Sequence, residues 1–190
     1  MIKVNTPFEE VFILKPNVYL DKRGSFKESF NSNIFQKLID KKIVFLQDNE
    51  TFSKKGALRG LHFQLPPFSQ SKLVRVIQGT IMDVVIDIRK GSSTFGQYFS
   101  QELSAENQLQ LFIPRGFAHG YITLSKTSIF AYKVDNYYNL ESERSINPED
   151  PSLGIDWQLP KREWIQSDKD KKHPTLAKAT LFDYNEDLYV

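Results

Sequence analysis

Cysteine is missing from this chain altogether. Its absence excludes disulfides, thiolate metal sites and a cysteine nucleophile, and it fits a cytoplasmic protein. Histidine is scarce, with three in 190 residues. No apolar run approaches the roughly eighteen residues of a membrane span. The stretch Met1-Ile2-Lys3-Val4-Asn5-Thr6 lacks the apolar core of a signal peptide. An excess of one charge is lacking too. The net charge is +2, and no long basic run offers an arm for nucleic acid. Glycine-rich phosphate loops, a GxSxG elbow and an HExxH pair do not occur.

Aromatic side chains are plentiful, with 15 Phe and 8 Tyr. Most of them suit pleated β-structure, where large flat side chains pack well. The length suits one domain and is too short to expect two. No repeat, linker or low-complexity segment divides it, so residues 1–190 read as a single domain. The middle alternates short β-branched runs with turn signals. Lys72 to Ile77 and Ile81 to Ile88 flank Gln78-Gly79-Thr80, which predicts a hairpin. In the second run Met82, Val84, Ile86 and Ile88 share one face, and Asp83 and Asp87 the other. Further strands are expected at Tyr98 to Leu103, Gln110 to Ile113, Tyr121 to Leu124 and Ile129 to Val134. Many short strands predict an all-β sandwich or barrel. A short helix is expected over Asn31 to Ile39, capped by Asn31 or Ser32, and another over Thr175 to Ala179. The charge run Ser167 to Lys172 reads as a solvated loop.

Arg59-Gly60-Leu61-His62-Phe63-Gln64, with Lys72 ten residues on, carries the chemistry. Imidazole exchanges protons near neutrality. Arginine offers a planar fork for phosphate, and lysine a compact charge for a developing oxyanion. A base beside an oxyanion partner is what proton abstraction next to a carbonyl requires. His119, within Pro114-Arg115-Gly116-Phe117-Ala118-His119-Gly120, reads as a loop residue near a ligand or as a turn residue bonded to backbone. Barrels of this kind often bind metals through an HxH pair, but position 64 is Gln. His62 and His119 alone leave a metal site short of nitrogen ligands, so none is expected. Tyr132 is either a sheet aromatic or a general acid. Asp21 to Phe30 reads as a charged turn before an edge strand, or as a phosphate site with Arg23 and Glu28.

These segments together resemble the dTDP-4-dehydrorhamnose 3,5-epimerase family of the cupin superfamily. The matching pieces are Asp21 to Phe30, Gln47-Asp48-Asn49, Leu58 to Gln64, Lys72 to Val76, Leu103 to Asn107, Ile113 to Gly120, Tyr132-Lys133 and Leu153 to Trp157. They run in family order and cover roughly residues 5 to 172. The resemblance implies an all-β, cupin-type jelly roll (double-stranded β-helix) with a few short helices. It implies no metal and no cofactor, and a homodimer with exchanged strands. The implied substrate is dTDP-4-dehydro-6-deoxy-D-glucose, epimerised at carbons 3 and 5 to dTDP-4-dehydro-L-rhamnose. By resemblance His62 is the base, Tyr132 the acid and Lys72 the cation at the keto oxygen. Asp170 is the carboxylate paired with the base, with Asp168 competing for that role. Arg23, Glu28, Gln47, Asp48, Asn49, Arg59, His119, Glu143 and Lys169 match nucleotide-sugar contacts.

Overall fold

The computed structural model describes residues 1–189, and its regular secondary structure is mostly strands. In chain order they are β1 (Ile2–Asn5), β2 (Phe12–Lys15), β3 (Val18–Asp21), β4 (Gly24–Lys27), β5 (Gln47–Lys54), β6 (Leu58–Gln64), β7 (Lys72–Gln78) and β8 (Thr80–Asp87). There follow β9 (Arg89–Lys90), β10 (Tyr98–Ser104), β11 (Gln110–Ile113), β12 (Phe117–Thr123), β13 (Thr127–Val134), β14 (Glu143–Ser145) and β15 (Phe182–Asp183). Six of them form one sheet in the order β1-β2-β11-β7-β13-β5, and five form a second in the order β10-β8-β12-β6-β14. Every pairing within these two sheets is antiparallel. This is the expected all-β, cupin-like jelly roll.

Alternation along the strands builds the layers. Val74, Val76 and Phe130 from the larger sheet meet Ile81, Val85, Phe117 and Tyr121 from the smaller one. Removing a side chain such as Phe130, 1% exposed, would cost about 3–5 kcal/mol, because a packed interior relaxes only partly into the void. The other face of the smaller sheet is apolar as well. Met82, Val84, Ile86 and Ile88 lie there beneath Ile146, Leu153, Trp157, Leu176, Phe182 and Leu188. A third cluster sits outside the larger sheet, where Phe35 of the short helix α1 (Ser32–Gln36) packs with Phe12, Leu14, Leu73 and Phe112. Asn31 caps α1 as expected, its side-chain oxygen accepting from the backbone N–H groups of Asn33 and Ile34.

Two expectations are corrected. β7 and β8 are not a hairpin. β7 pairs with β11 and β13, and β8 with β10 and β12. Each run takes a central place in its own sheet, and β8 is buried along its whole length after Thr80. Gly79, at φ +79, turns the chain from one sheet to the other, and a β-carbon there would sit 2.1 Å from the Thr127 carbonyl oxygen. His119 is not in a loop, because β12 starts at Phe117 and carries it into the buried interior. The charge run Ser167 to Lys172 is exposed as expected apart from buried Asp170, while apolar residues elsewhere in the segment after Pro160, such as Leu176, Phe182 and Leu188, cover the smaller sheet. Within that segment, Leu176–Lys178 forms one 3₁₀ turn, inside the helix expected there.

Candidate active site

Strand β6 presents the reactive face through an irregularity. Arg59 and His62 are three residues apart, and in a regular strand they would point to opposite sides. The register against β12 pairs His62 with His119 and Arg59 with Tyr121, so three residues on β6 span two on β12. The extra residue is a β-bulge, and it returns Arg59 and His62 to one face. Glycine makes the bulge possible. Gly60 adopts φ +128, where a β-carbon would lie 2.5 Å from the Gly120 α-carbon. The four side chains of the two register pairs line one cavity of about 270 Å³, together with Thr51, Lys72, Phe130, Tyr132, Glu143, Ser167, Lys169 and Asp170.

The partner of His62 comes from the covering segment. Its Nε2 lies 2.8 Å from Asp170 Oδ1. Bonding to a carboxylate requires the proton on Nε2, which leaves the lone pair on Nδ1. Ser167 Oγ donates to the second oxygen of Asp170 at 2.8 Å. Burial alone would raise the Asp170 carboxyl, but hydrogen bonds from His62 and Ser167 outweigh it and hold it below the usual range. Asp168 is 94% exposed and faces Lys171, so the choice between the two carboxylates falls on Asp170.

Lys72 opens β7 and brings its ammonium within 3.5 Å of the His62 carbonyl oxygen. Burial lowers its pKa to about 8, against the attraction of Asp83 and Glu143. At neutral pH it is still mostly charged. Asp83 is fully buried on β8, and His119 Nε2 donates to both its oxygens at 2.9 and 3.0 Å. Burial pushes this pair toward its neutral forms, raising Asp83 and lowering His119. Tyr132 enters from β13. Burial raises its pKa, so the phenol keeps its proton at neutral pH. At the rim, Glu143 accepts from Lys169 and from the Tyr138 hydroxyl. Burial would raise Glu143, yet these two bonds hold it low.

Eight sequence-named residues thus share one cavity: Arg59, His62, Lys72, His119, Tyr132, Glu143, Lys169 and Asp170. Gln47, Asp48 and Asn49 lie beside it on β5. Gln47 donates to Asn49 at 2.8 Å, and Asp48 pairs with Lys133 across the strand. Asp48 and Asn49 line a separate cavity of about 420 Å³, with Arg75 and Phe30. Arg23 and Glu28 are not brought to the His62 cavity. Arg23 sits at the tip of the β3–β4 hairpin, 84% exposed and bonded to Asp21. Sequence reasoning passed over Asp83. A carboxylate alternating with apolar residues suggests a wet face, and only the packing of the larger sheet against that face, where Ile81 and Val85 meet Val74 and Val76, buries it. Ser167 gave no signal at all.

The family model for dTDP-4-dehydrorhamnose 3,5-epimerase matches residues 5–178. The dTDP-4-dehydrorhamnose 3,5-epimerase of Salmonella typhimurium is 50% identical over 184 residues, covering 95% of this chain and 98% of that relative. The Legionella pneumophila dTDP-6-deoxy-D-glucose-3,5-epimerase, solved in complex with dTDP-4-keto-L-rhamnose, superposes with a TM-score of 0.93. It is 44% identical, covering 97% of this chain and 99% of that one. A 3'-monoepimerase from Streptomyces bikiniensis, solved with dTDP, has a TM-score of 0.89 and 31% identity, covering 95% and 92%. The matched span takes in every strand of both sheets but β1, and the segment that brings Asp170 to His62, and the chain belongs to the dTDP-4-dehydrorhamnose 3,5-epimerase family.

Proposed function

We propose that this protein epimerises dTDP-4-dehydro-6-deoxy-D-glucose at carbons 3 and 5, giving dTDP-4-dehydro-L-rhamnose. The observation that carries this is the His62–Asp170 pair sharing a cavity with the Lys72 ammonium and the Tyr132 phenol. Both carbons flank the carbon-4 ketone, so their protons are acidic only if charge can move onto that oxygen. Lys72 meets this charge as it develops, as a preorganised cation in a water-poor site does. His62 Nδ1 takes the proton, and Asp170 holds the ring orientation and faces the imidazolium that results. Tyr132, still protonated at neutral pH, returns a proton from the opposite side and so inverts the centre. The 270 Å³ cavity is small for a whole nucleotide sugar, since sites for drug-sized ligands run from about 300 Å³ upward. It suits the sugar ring, with the diphosphate at Arg59 and the nucleotide along Gln47 and Asn49.

The assembly we infer is a homodimer with exchanged strands, working in the cytoplasm in a pathway to dTDP-L-rhamnose for cell-surface polysaccharide. The β3–β4 hairpin supports the exchange. Among the described residues it pairs with no other strand, and it exposes Tyr19 at 62%, Leu20 at 81% and Phe26 at 70%. Docked on a second copy, it carries Arg23 and Glu28 toward that copy's site. Solvent-deuterium exchange on the nucleotide sugar tests the function. Label is expected at carbons 3 and 5 with the wild type and at neither with His62→Ala. A wild type that incorporates none refutes the proposal. Likeness to the Streptomyces 3'-monoepimerase supports a second reading, inversion at one carbon, which label at carbon 3 alone would establish.

A further inference from the structure

The third histidine, His173, takes no part in this chemistry. It does not line the cavity but lies behind Asp170, its side chain 4% exposed. Among the described residues neither ring nitrogen makes a hydrogen bond of good geometry, the backbone of Gly60 offering only a marginal one, which is uncommon for a buried polar group. Nε2 is 3.5 Å from Asp170 Oδ1, the same oxygen that His62 meets at 2.8 Å. The two histidine rings stand edge to face with centroids 5.3 Å apart. One ligand atom from each of His62, Asp170 and His173 can be chosen so that all lie within 4.8 Å of one another.

Local structure accounts for this convergence. Asp170 begins a 3₁₀ turn, Asp170–Lys172, and residues three apart eclipse in such a turn. Asp170 and His173 therefore project to the same side. Pro174 follows, and its carbonyl oxygen accepts from the Asn147 N–H at 2.7 Å. Ser167 Oγ fixes the outer oxygen of Asp170, the arrangement that orients a ligating carboxylate.

We propose that His62, Asp170 and His173 form a zinc site that switches off the catalytic base. Two imidazoles and one carboxylate with an open fourth position are a common zinc donor set, with bonds of about 2.0–2.2 Å. Ligand atoms around a tetrahedral ion with such bonds lie about 3.4 Å apart, so the widest of the three separations, up to 4.8 Å, closes by about 1.4 Å when zinc binds. The consequence for His62 is a change of tautomer. Zinc on Nε2 takes the place of the proton there, and the neutral ring carries its one proton on Nδ1. The lone pair that would abstract a substrate proton is gone, while the cavity stays open.

Zinc binding itself is independent of the epimerase reading; its effect on exchange rests on it. Untagged, chelator-treated protein is titrated with zinc while the histidine ring signals are followed by NMR. Three resonances are available, from His62, His119 and His173. The expected result is that His62 and His173 shift together and His119 does not. Cobalt substituted for zinc gives the visible spectrum of a nitrogen- and oxygen-ligated tetrahedral ion. Zinc lowers wild-type deuterium exchange by about 100-fold or more, the usual worth of a general base, and leaves dTDP affinity unchanged. His173→Leu and His173→Asn lose zinc affinity by at least about tenfold and keep their exchange in its presence. Zinc that moves no histidine signal, or that moves all three alike, overturns the proposal. So does equal zinc inhibition of the wild type and both variants.

Discussion

Replacing Lys72 by Met should make the folded protein more stable and the enzyme inactive. The ammonium is held where its pKa falls from 10.5 to about 8, because burial outweighs the attraction of Asp83 and Glu143. That fall corresponds to about 3 kcal/mol spent in the folded state to keep the group charged at neutral pH. Methionine fills similar space without the charge. Lys72→Met is therefore expected to raise the unfolding free energy at pH 7 by up to about 3 kcal/mol. The pH dependence follows. Below pH 8 both folded and unfolded chains hold the proton, and the cost is constant. Between pH 8 and 10.5 the unfolded chain holds a proton that the folded chain has lost, so wild-type stability rises with pH. The variant lacks that rise. Denaturant unfolding at fixed protein concentration, from pH 7 to 10.5, measures both effects. Exchange at carbons 3 and 5 should drop by about 10²–10³, as when an oxyanion partner is removed. A variant that is less stable than the wild type at pH 7, or that keeps full exchange, refutes the reasoning.

Gly120→Ala would place a methyl group 2.7 Å from the Arg59 carbonyl oxygen. It should cost at least about 2 kcal/mol and reduce exchange, read by thermal unfolding and by deuterium incorporation; unchanged stability would dismiss the bulge as a constraint. Tyr132→Phe should keep deuterium entry from the His62 side yet impair inversion at carbon 5, which NMR of the product resolves; full inversion would remove Tyr132 from the acid role. Mixed dimers of Arg23→Ala and His62→Ala should regain activity that neither variant has alone, because one copy's hairpin then serves the other's intact His62. No regain after subunit exchange would count against shared sites.

Much of this protein was legible in its residues, but unevenly. The strands around Gln110 to Ile113 and Ile129 to Val134 stood out because β-branched and aromatic residues alternate between clear turns. The pairing of those strands did not. Lys72 to Ile77 and Ile81 to Ile88 look like a hairpin locally, yet each pairs with strands distant in sequence and takes a central place in a different sheet. His62 was conspicuous as one of three histidines. Its presentation was hidden, because the bulge at Gly60 is a matter of register between two strands. Asp83 was passed over for a related reason. Periodicity gives the side of a strand a residue faces, and cannot say whether that side is wet.

The segment that supplies Asp170 also roofs the smaller sheet, through Ile146, Leu153, Trp157 and Leu176. His62 and Asp170 are 108 positions apart, so during synthesis the base is made long before its carboxylate. A chain whose roof has not yet closed holds a histidine with no fixed tautomer. Reactivity arrives only as the last apolar face goes under cover, which makes turnover a report that folding has finished.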